Sequence, residues 1–431
     1  MRALCSIVLA AAVLAGCANA PDTAVIAKDA SPGITATKVD VGALATLSGP
    51  ISADFAPIVS GVRAYFDDVN QHGGVWGRKL VLGHLADDGG SPSNNAVEAR
   101  TLVLQDHVFA VVGVATAFFT AAGFLTRTGT PTFGYATENN WSGAKNLFAA
   151  YGSVVDYSTL GPSIAYVGHR VGAQSVALLA YGVPQSAALC SSADTELTKL
   201  GLHVSYADLS VPYGGDLSAD VLRMKQAKTD FVVSCMDVTG NVQLSRTLVQ
   251  NGITDIPQLW LDGYNRTTLE QYAPLMRNVY FLVQHVPFQA ATTFPGSFPG
   301  LERYLAEMHR YAPADTQSEV AMEGWLSADL FVQGLRIAGP HPTQESVIRA
   351  INQLTAYTGG GLTQPVNWTI SHTEVTPPSC ETTVRTDVAP GAAPHFKVVF
   401  NSGTNLWVCF PIGGKVDLSR PVPPPVGTPG T

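Results

Sequence analysis

Apolar and polar positions along the chain switch repeatedly between a period of two and a period near 3.6. Residues 39–44 (VDVGAL) form a short apolar run that reads as a strand. Val59, Val62, Phe66 and Val69 then recur on one helical face and predict a helix over 56–70. A glycine-rich turn at 73–77 leads into a strand over 79–85. The rhythm continues with a helix over 93–105, capped by Ser93 or Asn94, and a strand over 108–114 (VFAVVGV). A helix over 116–126 and a strand over 130–135 follow. VFAVVGV is apolar at successive positions, as expected of a strand inside a parallel sheet.

A second series begins at the helix over 156–169. Strands over 175–181, 204–209, 231–235, 258–261 and 279–286 alternate with helices over 185–200, 217–227, 238–251 and 267–273. Three amphipathic helices, 298–311, 320–338 and 344–354, come next. Two series of alternating strands and helices predict an α/β fold of two Rossmann-like lobes, each with a parallel sheet covered on both faces. From Val366 the helical period fades and Asn, Thr and Pro rise. Residues 397–400 and 406–410, flanking NSGTN at 401–405, predict a β-hairpin, and the proline-rich residues 416–431 are expected to be disordered.

Composition sharpens this picture. The chain has 431 residues, 46% hydrophobic and 13% charged, which excludes wholesale disorder. Its 25 Lys+Arg against 33 Asp+Glu give a charge of −8. With no basic block, a nucleic-acid partner is not expected.

The N-terminus, MRALCSIVLAAAVLAGC, has one Arg and then an apolar run too short to span a bilayer, the form of a secretory signal. Its end, Leu14-Ala15-Gly16-Cys17, resembles a bacterial lipoprotein lipobox. That implies a signal over 1–16, diacylglycerol on Cys17, and a tether over 17–36 that anchors the protein to the membrane without spanning it. Cys190, Cys235, Cys380 and Cys409 remain, an even number in an oxidising compartment. Pairing within local regions favours Cys190–Cys235 and Cys380–Cys409; four buried thiols are the other reading. There is no C-x-x-C, and no metal site is expected.

Four stretches carry a family resemblance. They are Leu47-Ser48-Gly49-Pro50; Val69-Asn70-Gln71-His72-Gly73-Gly74-Val75-Trp76-Gly77-Arg78-Lys79-Leu80; Asp87-Asp88 with Pro92, Ala96, Ala99, Leu102-Val103, Gln105-Asp106 and Val108; and Gly113 with Thr130-Pro131. In order and spacing they resemble the type I periplasmic solute-binding proteins, in the leucine–isoleucine–valine branch of ATP-driven importers. The resemblance implies two lobes joined by three crossings, near 151–154, 286 and 361–366. Lobe 1 would comprise 37–152 and 287–362, and lobe 2 would comprise 153–286 and 363–415. It also implies a monomer that uses no cofactor, binds a small amino-acid-like ligand in the cleft by hinge closure, and serves an inner-membrane permease and ATPase.

Clefts in such lobes lie at the carboxyl ends of strands. The N–H groups at Thr116, Ala117 and Phe118, with the Thr116 hydroxyl, either hold a ligand carboxylate or simply cap a helix. The resemblance assigns Ala136 and Thr137 to the same carboxylate. It assigns Asp262 to the ligand ammonium, the alternative being a turn Asp before Gly263. Asp237 is either a second ligand contact or a helix cap. Gln185 stands where many members have a stacking Tyr, and Phe118-Phe119 where small hydroxyl residues are usual. Phe118, Phe119, Phe133 and Tyr264 line an apolar pocket or belong to the core, and Trp141 is a candidate cover for the cleft mouth. Asp87-Asp88 are read as caps of the following helix.

Enzyme motifs such as G-x-S-x-G, H-E-x-x-H and the Walker sequence are missing, and the ten His are scattered, so no catalysis is expected. The alternatives are a ligand-sensing lipoprotein feeding a signalling partner, or a binder of amides, urea or aromatic acids.

Overall fold

In the computed structural model, which describes residues 31–431, lobe 1 is built from β1 (Lys38–Ala45), α1 (Pro57–Gln71), β2 (Lys79–Asp87), α2 (Pro92–Leu104), β3 (Ala110–Ala115), α3 (Ala122–Thr128), β4 (Thr132–Gly134) and β5 (Leu147–Ala149). The signal segment, Cys17 and the tether as far as residue 30 lie outside the described residues. The strands form an all-parallel sheet in the order β2-β1-β3-β4-β5. All of β3 is buried. Ala110 and Val112 pack on one face and Val111 and Val114 on the other, which explains its unbroken apolar run. Ser91, two residues before the earlier expected cap, caps α2 ahead of Pro92, its hydroxyl accepting from Asn94 N–H at 3.4 Å.

Lobe 2 follows with α4 (Gly161–Val171), β6 (Ser175–Tyr181), α5 (Pro184–Lys199), β7 (His203–Val211), α6 (Ser218–Gln226), β8 (Phe231–Ser234), α7 (Val238–Gln250), β9 (Gln258–Trp260), α8 (Arg266–Tyr272) and β10 (Val279–Val283). The chain then returns to lobe 1 for α9 (Ala290–Thr293), α10 (Pro299–Tyr311), α11 (Glu319–Ala338) and α12 (Gln344–Ile351). Helix α11 crosses α1 so closely that a Cβ on Gly61 would lie 1.8 Å from the Ala321 carbonyl oxygen, and one on Gly324 2.0 Å from that of Ile58. Only glycine at both positions permits this contact, which fixes the start of α11 relative to the lobe 1 sheet.

The second sheet runs β12-β11-β10-β9-β8-β6-β7, with β11 (Ser379–Asp387), β12 (His395–Val399) and β13 (Trp407–Phe410) added antiparallel to its parallel core. Here the structure corrects the expected hairpin. β12 and β13 do not pair with each other; both pair with β11, and the register jumps by seven residues between Thr383↔Val399 and Thr382↔Trp407. They are one edge strand interrupted by a seven-residue excursion that carries the NSGTN turn.

Both disulfides form in the preferred pairing: Cys190 on α5 with Cys235 after β8, and Cys380 with its cross-strand partner Cys409.

Three expected boundaries move. Asn367–Glu374 stays on lobe 1, where the buried Trp368 ring meets Phe148 at 5.1 Å and Ser153 N–H donates to the Ser371 carbonyl at 2.9 Å. The third crossing therefore falls after this segment instead of near 361–366. The tail is not disordered: Val422 bridges Cys409, and Trp407 Nε1 donates to the Pro429 carbonyl at 3.0 Å. Residues 31–36 are not free tether either, because Gly33 accepts from Asp40 N–H at 2.7 Å and Ser31 Oγ accepts from Gln344 N–H at 3.0 Å. At the second crossing His285 bridges Thr363, and within the segment before the third crossing Tyr357 bridges Val366. Among the described residues, no helix is long and apolar enough to cross a membrane.

Candidate functional site

A cavity of about 530 Å³ lies between the carboxyl ends of the strands of the two lobes, where ligands of open α/β sheets bind. Lobe 1 presents the loops after β1, β3 and β4 and the start of α11; lobe 2 presents the loops after β6, β8 and β9. The first of these loops is tied down by the acidic pair, which does not cap α2. Asp87 Oδ1 accepts from Leu47 N–H at 2.9 Å and Ser48 N–H at 3.2 Å, and Asp88 Oδ1 accepts from the Thr46 hydroxyl at 2.7 Å. The same stretch carries Asp54 to the cavity.

Ala117, Phe118, Ala136, Thr137, Gln185, Asp237 and Asp262 all line the cavity. Thr116 and Tyr264 do not. Thr116 is buried beneath the loop, its hydroxyl accepting from Phe118 N–H at 3.2 Å and its carbonyl from the Thr137 hydroxyl at 3.1 Å. Tyr264 is core: its ring packs on Phe288 at 5.1 Å and Phe396 at 4.8 Å. Phe119 is core as well, packed at a tilt against a fully buried Trp141 at 4.7 Å, so Trp141 does not cover the mouth. Phe133 packs on Phe148 at 5.2 Å inside lobe 1.

The expected carboxylate cradle is partly filled from within. Residues 116–121 are not helical, since α3 starts only at Ala122. Phe119 N–H donates to Oε1 of Glu138, a residue the sequence reading passed over. The hydroxyls of Thr116 and Thr137 are committed to the backbone as described. Gln185 reaches across from lobe 2 to the same loop, Nε2 donating to the Ala117 carbonyl at 2.8 Å and to Glu138 Oε2 at 3.3 Å.

The acidic wall is larger than expected. Asp237 both lines the cavity and caps α7, accepting from Gly240 N–H at 2.8 Å and from the hydroxyls of Tyr181 at 2.7 Å and Tyr213 at 2.9 Å. Asp262 is pushed up to about 7 by burial and by Asp237. Asp54 is pushed up to about 9 by burial, then by Asp262 and Asp237 across the cleft. Glu319 rises to about 8 through burial and Asp262, and burial with Glu319 holds Glu323 well above the usual carboxylate range. The clue missed in the sequence was Glu319 and Glu323, two acids one turn apart at the start of a largely apolar helix. Among the described residues no cluster suited to a metal ion occurs.

A family model described as periplasmic binding protein matches residues 38–381. The Leu/Ile/Val-binding protein BraC3 of Rhizobium johnstonii is 37% identical over 78 residues, 18% of this chain and 21% of the relative. A Leu/Ile/Val-binding protein homolog of Brucella melitensis is 26% identical over 202 residues, 45% of this chain and 53% of the relative. The matches thus span at most about half the length of these curated relatives. Among solved structures, the fatty acid ABC transporter substrate-binding protein from Thermomonospora curvata superposes with a TM-score of 0.71 at 18% identity, covering 93% of this chain and 98% of that one. The branched-chain amino acid transporter substrate-binding protein of Streptococcus pneumoniae, solved with isoleucine, gives 0.69 at 20% identity, covering 84% and 99%. Likeness at that identity shows the fold alone. The family match along most of the chain, on two lobes around one cavity, shows that the chain belongs to the periplasmic binding protein family, whose members are binding proteins and not enzymes.

Proposed function

We propose that this chain is a lipid-anchored, extracytoplasmic solute-binding component of an ABC importer that takes a small, amino-acid-like amine into the interlobe cleft. The observation that carries the reading is the cavity itself, walled by strand-end loops of both lobes with Asp237 and Asp262 on one side. A solute touching both walls stabilises the closed arrangement over the open one by the difference in its contacts. Gln185 then latches lobe 2 to the Ala117 loop. The closed pair of lobes is the surface offered to a permease, and an acylated Cys17 keeps it at the membrane.

Thermal melting of the purified protein against amino acids, amides, urea and small aromatic acids tests the binding role. A true ligand raises the midpoint, because binding to the folded state alone stabilises it. If no solute moves the midpoint or gives heat on titration, the binding role is wrong. Cys17→Ser is expected to release the protein from membranes and to remove the acyl mass; retention on membranes would reject the anchor.

A further inference from the structure

The interlobe cavity is charged in a way that a zwitterion does not balance. Asp54, Asp156, Asp237, Asp262, Glu319 and Glu323 line it, while no lysine, arginine or histidine does among the described residues. Two of these six carboxylates are spent locally: Asp156 accepts from Ser158 N–H at 3.0 Å, and Asp237 is held by Gly240 and two tyrosines. The other four come from both sides of the cleft, Asp54, Glu319 and Glu323 from lobe 1 and Asp262 from lobe 2. When ionised they oppose closure by like-charge repulsion through a poorly screened gap.

An amino-acid zwitterion brings no net charge to offset this. Its carboxylate would also compete with Glu138, which already takes the Phe119 N–H in the cradle.

Two further observations point to positively charged nitrogen. The Tyr151 hydroxyl, buried at the cavity wall, is directed at the Glu323 carboxyl, and no donor reaches its oxygen, which can accept from an ammonium N–H. Tyr135 and Tyr151 from lobe 1 and Tyr181 from lobe 2 also line the cavity, and ring faces attract alkylammonium groups. Between these polar ends Phe55, Phe118, Leu261 and Val320 offer apolar surface suited to a methylene chain.

We propose that the cavity selects a short alkyl diamine or polyamine, a solute with two or more ammonium centres, whose charges bridge the carboxylates of the two lobes. The inference rests on the solute-binding reading above and names its substrate class. Closure then depends on the cation, because only a bound dication turns the cross-cleft repulsion into attraction on both sides. Burial and mutual repulsion hold the Asp54, Asp262 and Glu319 carboxyls partly protonated without ligand, so binding should release protons to the buffer.

The test is calorimetric titration of the purified protein with 1,4-diaminobutane, spermidine, isoleucine, benzoate and decanoate, in two buffers of different ionisation heat. The expected result is diamine or polyamine binding at least about tenfold tighter than isoleucine, weakening as salt rises, with proton release near neutral pH. Glu319→Gln and Asp54→Asn, on separate elements, should each weaken it by at least about tenfold; the second stands in if the first misfolds. Tighter binding of isoleucine or of either carboxylate than of both amines overturns the dication and leaves the solute-binding reading standing. Silence with every probe overturns both. Full amine affinity in both variants overturns the assigned carboxylates.

Discussion

Gln185 and Ala117, on opposite lobes, are joined by a hydrogen bond of 2.8 Å from the side-chain amide to the backbone carbonyl. Because the acceptor is backbone, the contact reads the position of the loop and not the identity of its side chain. It joins the two cavity walls directly, beside the Glu138 carboxylate.

Gln185→Ala is expected to weaken ligand binding by about fivefold, the equivalent of one hydrogen bond of ~1 kcal/mol, chiefly by speeding release. Stopped-flow dissociation compared with the wild type checks this. An unchanged release rate would show that the contact does not hold the closed form.

Asp262→Ala should separate binding from folding. The carboxyl, pushed up to about 7, is costly to ionise where it sits, so its removal should raise the melting midpoint of the ligand-free protein at pH 8. The same substitution should abolish measurable binding of an amine. A lower midpoint together with intact affinity would reject the role of Asp262 as an ammonium partner.

Stability without ligand should fall as pH rises above neutrality. Asp262, Glu319 and Asp54 have folded values of about 7, 8 and 9, all above their unfolded values near 4. Their contribution is complete below the unfolded value and is lost as pH climbs through 7–9, because the folded chain keeps protons the unfolded chain has released. The buried His285 and His372, lowered to about 4, act in the opposite sense on the acid side, losing stability as pH drops below about 6.5. Glu381, raised to about 7, adds to the alkaline loss from outside this group. Melting curves from pH 7 to about 9.5 should decline, and Glu319→Gln should flatten the part near pH 8. A flat wild-type profile over that range would contradict the raised values.

Gly324→Ala is a small change with a large expected cost. Its Cβ would meet the Ile58 carbonyl oxygen at 2.0 Å, a backbone atom that cannot swing aside. Separating α1 from α11 should cost about 3 kcal/mol or more and shift Glu319 and Glu323 relative to the cavity. Denaturant unfolding measures the first effect and ligand titration the second; wild-type stability would mean the helices have room to part.

Each disulfide closes a loop of moderate size, with sequence separations of 45 for Cys190–Cys235 and 29 for Cys380–Cys409. The chain-entropy relation gives about 4 kcal/mol for each. Paired Cys→Ser variants, or reduction, should lower the unfolding midpoint accordingly. A loss below about 1 kcal/mol would mean the unfolded chain is little constrained by them.

The elements were legible in the sequence wherever a long periodic run decides them. Residues 175–181 form β6 with the predicted bounds, and α1, α7 and α11 start and end within a residue or two of expectation. Errors came where local chemistry is compatible with two long-range outcomes. NSGTN does turn the chain, through the Ser402↔Asn405 bridge, but nothing local says that its arms pair with β11 instead of each other. Residues 116–121 carry no helix breaker, yet their N–H groups go to Thr116, Glu138 and Asn95 and not to an early helical turn. Strand-end positions placed Gln185, Asp237 and Asp262 at the cavity, whereas Asp54 reaches it, and Glu138 reaches the Phe119 N–H beside it, only through tertiary folding. Tyr264 read as a site residue because its loop follows a strand, but its ring points into the aromatic core between the sheet and α10.

The interrupted edge strand bears on self-association. An open sheet edge offers unpaired backbone groups on which another chain can add a strand. Here the outer edge of the lobe 2 sheet presents β12, five residues long, and β13, four residues long, separated by a seven-residue detour. The proline-rich tail further obstructs β13 at Cys409. Too short and too irregular to template a long pairing, this edge protects the binding protein against sheet-to-sheet aggregation.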